Sequence, residues 1–148
     1  IALDGLARGW AHIERVTRDG SDRDARWAMM SASMQGALAF QKGLGCVHSL
    51  SHSLGGANPK LHHGTLNAVF LPAVVRFNAG AETIQREQRL QRMAHAMDLG
   101  HCDAHGTEVS DALRATYHPN VLAIRALEKA LKSTSPRSSH IAGSDDRR

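Results

Sequence analysis

Apolar positions recur every three or four residues through the first hundred residues of this chain, the spacing of one face of an α-helix. Leu3, Leu6, Trp10 and Ile13 predict an amphipathic helix over residues 1–18, stopped at Gly20. Its first residues read as helix interior with no cap before them, so the chain is expected to be part of something longer. Ser21, with Asp24 three places on, reads as a capping box for a second helix. Trp27, Met30, Met34 and Leu38 form its stripe; Ser33, Gly36 and Ala37 give it a small-residue face that another backbone could approach. Gly43 and Gly45 break it. A short third helix carries His48 and His52 and ends at Gly55-Gly56, and Asn58-Pro59 marks the turn.

The fourth helix, from about His63 to Asn78, is apolar nearly all round, the pattern of a central bundle helix. Pro72 lies in its interior and removes a backbone hydrogen bond, so a kink is expected there. A fifth helix is predicted over residues 81–99, with Ile84, Leu90, Met93 and Met97 inside. Shorter helices follow near residues 108–116 and 120–132. From Ser133 the composition turns to Ser, Pro, Gly, Asp and Arg. No segment alternates like a strand and nothing repeats. The expected fold is all-α, a multi-helix bundle over residues 1–134 with a polar disordered tail over 135–148.

Composition narrows the function classes. Aromatic residues make up 4% of the chain, and Ala, Leu and Met supply most of the apolar mass, which favours packed helices. The net charge is +4 and the pI about 9.6, but Lys and Arg are interleaved with acids. That is a solvated helical surface, not a nucleic-acid footprint. The longest apolar run, near residues 66–77, is too short for a bilayer and is interrupted by Asn67, Pro72 and Arg76. Two cysteines, Cys46 and Cys102, with no framework of pairs, suggest a reducing, cytoplasmic setting. Cys46 reads as a small buried apolar residue.

The chemistry concentrates in one window. His48 and His52 are four apart and stack on one helix face, and His62-His63 opens the next helix after a Gly/Asn/Pro loop. Two neighbouring helices can thus aim imidazoles at one point, as first-row divalent metals require. Gly45, Gly55 and Gly56 strip side chains from around the pair. Spacing leaves open whether His62 or His63 is the ligand, and whether one of His48 and His52 acts on substrate instead. Iron(II) and zinc would suit three imidazoles equally. A second group, His101, Cys102, Asp103 and His105 with His95 nearby, reads as exposed polar residues at a helix end. His12, His118 and His140 read as surface histidines.

The stretch from Gly43 to Asn78 resembles the iron-containing (group III) alcohol dehydrogenases. Their pattern is GxxHxxxHxxG, a loop, HG, then NA-x-x-LP and a closing Arg-x-Asn. Here His48, His52, Gly55, His63-Gly64, Asn67-Ala68, Leu71-Pro72 and Arg76-Phe77-Asn78 stand in register. The resemblance covers about residues 1–99 and is strongest at 43–78. It implies the all-helical C-terminal domain of that family, His48 and His63 as metal ligands, and His52 beside the nicotinamide and substrate as a proton relay. The implied cofactors are Fe(2+) or Zn(2+) and NAD or NADP. The implied substrates are small alcohols, aldehydes or ketones, and a homo-oligomer is possible; no membrane or nucleic-acid partner is implied.

The family's further Asp-x-x-x-His ligands and its Gly-rich nucleotide turn are not found in this sequence. The chain alone is therefore expected to be inactive. A maleylacetate reductase-like fragment and a non-catalytic helical remnant are the alternative readings. Apolar surface is expected to lie bare beside His48 and His52.

Overall fold

The computed structural model describes residues 1–117. These form seven α-helices and no strand: α1 (Ala2–Arg18), α2 (Arg23–Phe40), α3 (Cys46–Ala57), α4 (His63–Ala79), α5 (Glu82–Arg86), α6 (Arg89–Ala96) and α7 (Thr107–Tyr117). The all-α expectation holds. No described helix is long and apolar enough to cross a membrane. The predicted helix at 120–132, the tail at 135–148, His118 and His140 lie outside the described residues.

The helices pack as two pairs joined by a shared core. α1 lies along α2, and α3 along α4. The C-terminal half of α4 meets α6 and α7 in a core of Val75, Ala79, Leu90, Ala94, Met97, Cys102, Val109 and Leu113. Leu6 and Trp10 of the α1 stripe close that core from one side, as their spacing predicts.

α1 and α2 meet through small residues. Gly5 is buried, and a Cβ there would stand 3.0 Å from Gln35 Cβ and 3.3 Å from the Ala32 carbonyl oxygen. Ala25 and Ala28 are the buried residues of α2. Two expectations for α2 are therefore corrected. Its large apolar stripe faces outward, with Trp27 67% and Met30 71% exposed. The small-residue face that meets a neighbour runs through Ala25, Ala28 and Ala32, whereas a Cβ added at Gly36 would meet nothing within 4 Å. The N-cap is also Asp22, not Ser21; its carboxylate accepts from the Ala25 amide at 2.9 Å.

The predicted fifth helix is two. Gln88 adopts a left-handed conformation (φ 50°) and separates α5 from α6. The reason is phase. Leu90, Met93 and Met97 share one stripe, but in an unbroken helix Ile84 would point about 120° away from Leu90. The break lets Ile84 reach the same core. The Gln85 amide fixes α5 by donating to the Ala79 and Ala104 carbonyls.

α4 is less central than its composition suggests. Leu66, Pro72, Val74, Val75 and Ala79 are buried, but Phe77 is 80% exposed. The helix continues through Pro72. Beside it the fully buried Ser110 hydroxyl donates to the Pro72 carbonyl and accepts from Arg76 Nε at 3.0 Å. Arg76 also pairs with Asp111 at 2.8 Å, so α4 and α7 are stitched at this point.

Candidate metal centre

The packing of α3 on α4 explains where the histidines go. Ser51 and Gly55, four apart, form the inner face of α3; Ser51 is fully buried and Gly55 lies against Leu66 of α4. His48 and His52 sit one stripe round from that face. Leu66 points at α3, and His63, three residues earlier on α4, is on the same side. Helix geometry therefore draws the three imidazoles together. Ring centroids are 5.8 Å apart for His48–His52, 5.4 Å for His48–His63 and 5.1 Å for His52–His63.

His62 takes a different part. It is the N-cap of α4, its Nδ1 accepting from the Thr65 amide at 3.4 Å. This turns it toward its own helix and separates it from the other three. His63 Nε2 lies 3.0 Å from the Asn67 amide nitrogen one turn on, and the buried Asn67 Oδ1 next to it has no hydrogen-bond partner.

Three imidazoles suit a first-row divalent ion in the character of their donors. With metal–nitrogen distances of about 2.0–2.1 Å, tetrahedral coordination sets ring centres about 5 Å apart. The observed spacings of 5.1–5.8 Å are close to that. The donor types and ring spacing suit a metal, but no choice of one nitrogen per ring brings all three within 4.8 Å of one another, so the rings would have to turn to share an ion. His48 is half-buried and His52 and His63 are exposed, so the group opens outward. Phe40, 46% exposed, lies beside it. Phe40 stands 6.2 Å from His48 by ring centroid. Cys46, expected to be buried, is exposed in the first turn of α3 because the inner face there is taken by Ser51 and Gly55.

A tighter set of ligand-type side chains lies elsewhere. Cys102, Asp103 and Glu108 bring one donor atom each within 4.8 Å of one another, closer than the nitrogens of the three imidazoles gather. Their donors are already engaged. The Asp103 carboxylate accepts from the Thr107 amide and hydroxyl, both at 2.8 Å, and from the His105 amide. Glu108 accepts from the Asp103 amide at 2.7 Å. Asp103 thus caps the amides leading into α7, and Glu108 reaches back to the Asp103 amide.

Those hydrogen bonds hold both carboxyls below their ordinary range, chiefly the Thr107 amide for Asp103 and the Asp103 amide for Glu108. Burial pushes the Cys102 thiol up. Sequence reasoning placed this group at a helix end but read it as exposed, whereas Cys102 is buried in the core, and it did not include Glu108. It also gave Ser110 no part, because a bridge to residues 34 and 38 positions away leaves no local signal.

Two adjoining helices of an all-α domain thus bring His48, His52 and His63 together beside the His63-Gly64 turn. The C-terminal domain model of the Fe-containing alcohol dehydrogenase family matches residues 10–133, and the chain belongs to that family. It is 70% identical over 103 residues to a 4-hydroxybutyrate dehydrogenase of Cupriavidus necator, covering 67% of this chain and 27% of that protein. It is 39% identical over 89 residues to an NAD-dependent methanol dehydrogenase of Bacillus methanolicus, covering 60% and 21%. It is 45% identical over 68 residues to a 1,3-propanediol dehydrogenase of Klebsiella pneumoniae, covering 45% and 17%. The chain thus spans about a quarter or less of these relatives' length. No solved structure matches it.

Proposed function

We propose that this chain is the metal-binding helical part of an NAD(P)-linked alcohol dehydrogenase of the iron-type family. It would act on a small terminal alcohol or the matching aldehyde. The identity to the C. necator relative makes 4-hydroxybutyrate the first substrate to test. His48 and His63 would hold iron(II) or zinc from two helices. When bound, the metal would polarise the alcohol oxygen and the nicotinamide would accept hydride.

The chain's own residues do the rest. His52, exposed and one turn beyond His48, would relay the alcohol proton as a general base. Ser51 and Gly55 keep α3 close to α4 and so keep the three rings together. Phe40, next to His48, adds an apolar side chain at the opening. The observation that supports this reading most is the 5.1–5.8 Å convergence of the three rings.

Calorimetric titration of the full 148-residue chain with cobalt(II), zinc and iron(II) tests it. One-to-one binding that His48→Ala and His63→Ala each weaken by tenfold or more, with His52→Ala weakening it less, is the expected result. Binding indifferent to all three substitutions would end the proposal.

A further inference from the structure

We propose that Asn67 is a positioning residue for His63: its side-chain amide sets which ring nitrogen carries the proton, and so which one is free to ligate. The second half of this rests on the metal reading; the first does not. Asn67 stands one turn beyond His63 on the same face of α4, and its Nδ2 lies 3.0 Å from His63 Nε2. An amide nitrogen only donates, so Nε2 accepts and the ring's own proton sits on Nδ1. Neither nitrogen then offers a lone pair to a cation. The other end of the same amide, Oδ1, is buried and has no hydrogen-bond partner. Neither His48 nor His52 has a ring nitrogen hydrogen-bonded among the described residues, so His63 is the one imidazole of the three whose proton the protein places.

The two ends of an amide are nearly equal in size. A half turn about the last side-chain torsion of Asn67 therefore puts Oδ1 where Nδ2 stands. Oδ1 only accepts, so the ring proton must then be on Nε2, and Nδ1 keeps its lone pair. That is the arrangement a metal-binding histidine needs: one nitrogen free, the other donating to a fixed oxygen. In either state one end of the amide stays unpaired, so Asn67 gains little from its own hydrogen bonds by choosing between them. The two states lie close in energy, and a ligand at Nδ1 would tip the balance. Leu66, next to Asn67 and fully buried against α3, fixes the backbone from which the amide turns.

Nitrogen NMR of the full chain, isotopically labelled in histidine and held at about pH 8 where imidazole is neutral, tests the proposal. The His63 signals are assigned by their loss in His63→Gln. In the metal-free chain the His63 proton should sit on Nδ1. Asn67→Asp, whose carboxylate only accepts, should move it to Nε2. Zinc should do the same in the wild-type chain and bind at Nδ1. Asn67→Leu should weaken zinc binding by tenfold or more, whereas Asn67→Asp should keep it, each with an unchanged circular dichroism spectrum. A His63 tautomer that Asn67→Asp leaves unchanged would overturn the proposal, with or without metal. So would zinc found on Nε2, or an Asn67→Leu chain that binds zinc like the wild type. A wild-type chain that binds no zinc, while its His63 tautomer still follows residue 67, would end the metal reading alone.

Discussion

The histidine group on α3 and α4 and the acidic group at the start of α7 make an instructive pair. Cys102, Asp103 and Glu108 are the tighter cluster. Yet their oxygens are committed to the amides and hydroxyl that start a helix. The imidazoles of His48, His52 and His63 are more widely spaced, come from two helices, and lie at an open edge. Proximity of ligand-type side chains is thus a poor guide by itself. What matters is whether their lone pairs are already used, because a metal must compete with every hydrogen bond it displaces; of the three imidazoles only His63 has a ring nitrogen engaged, Nε2 by the Asn67 amide, which leaves its Nδ1.

The sharpest way to break this comparison is to remove one donor from each group. His63→Ala should weaken zinc or cobalt(II) binding by tenfold to a hundredfold. Glu108→Gln should leave the affinity within about threefold, while lowering the urea midpoint of unfolding. Equal loss from both would put the metal, at least in part, at α7. Next in size is Leu66→Ala. Leu66 is fully buried where α3 crosses α4, so the substitution should cost about 2–5 kcal/mol in urea unfolding. It should also weaken metal binding, because it loosens the contact that sets the His48–His63 distance. The α7 group, 36 residues further along, should keep its local protection from hydrogen exchange.

Ser110→Ala should cost less, about 0.5–1.5 kcal/mol, by removing the hydroxyl that accepts from the partly exposed Arg76 and donates to the Pro72 carbonyl. It acts on the half of α4 remote from His63. Metal affinity should therefore be nearly unchanged. A large drop in affinity would mean that α4 behaves as one rigid rod through Pro72.

The bundle was legible in the sequence because helical periodicity records which side of a segment is apolar. It does not record which side is covered. Trp27, Met30, Met34 and Leu38 mark α2 as a helix, but Gly5 on α1 lets the backbone come within reach of Ala32 and Gln35 and so selects the small face for packing. The break at Gln88 was equally hidden, since a left-handed residue that is not glycine gives no compositional sign. The three histidines were legible because HxxxH and HG are local features on two successive helices. Spacing alone left open which of His62 and His63 joins the group; the HG resemblance pointed to His63, and it is the His63 ring that lies beside His48 and His52 while His62 caps α4. The engagement of Asp103 and Glu108 depends on the exact turn before α7, which spacing alone does not supply.

The smallest effect separates the two groups by pH. Asp103 and Glu108 have folded-state pKa values lowered by the hydrogen bonds they accept. Their stabilisation is complete above the unfolded carboxyl range of about 4 and is lost as pH falls through their lower folded values. Between pH 5 and 8 they leave stability flat. Cys102 runs the other way: its raised pKa keeps its contribution intact below the unfolded thiol range, about 8.5, and loses it as pH rises beyond. The metal site answers to a third condition, since a protonated imidazole cannot ligate. The stability gained on adding zinc should accordingly fade on acidification before the acid limb of the metal-free chain begins. Urea midpoints measured from pH 3 to 10, with and without zinc, would show this order. The double variant Asp103→Asn/Glu108→Gln should flatten the acid limb and leave the zinc-dependent gain in place. If it abolished that gain, the capping acids at α7 would have to be counted among the metal's ligands.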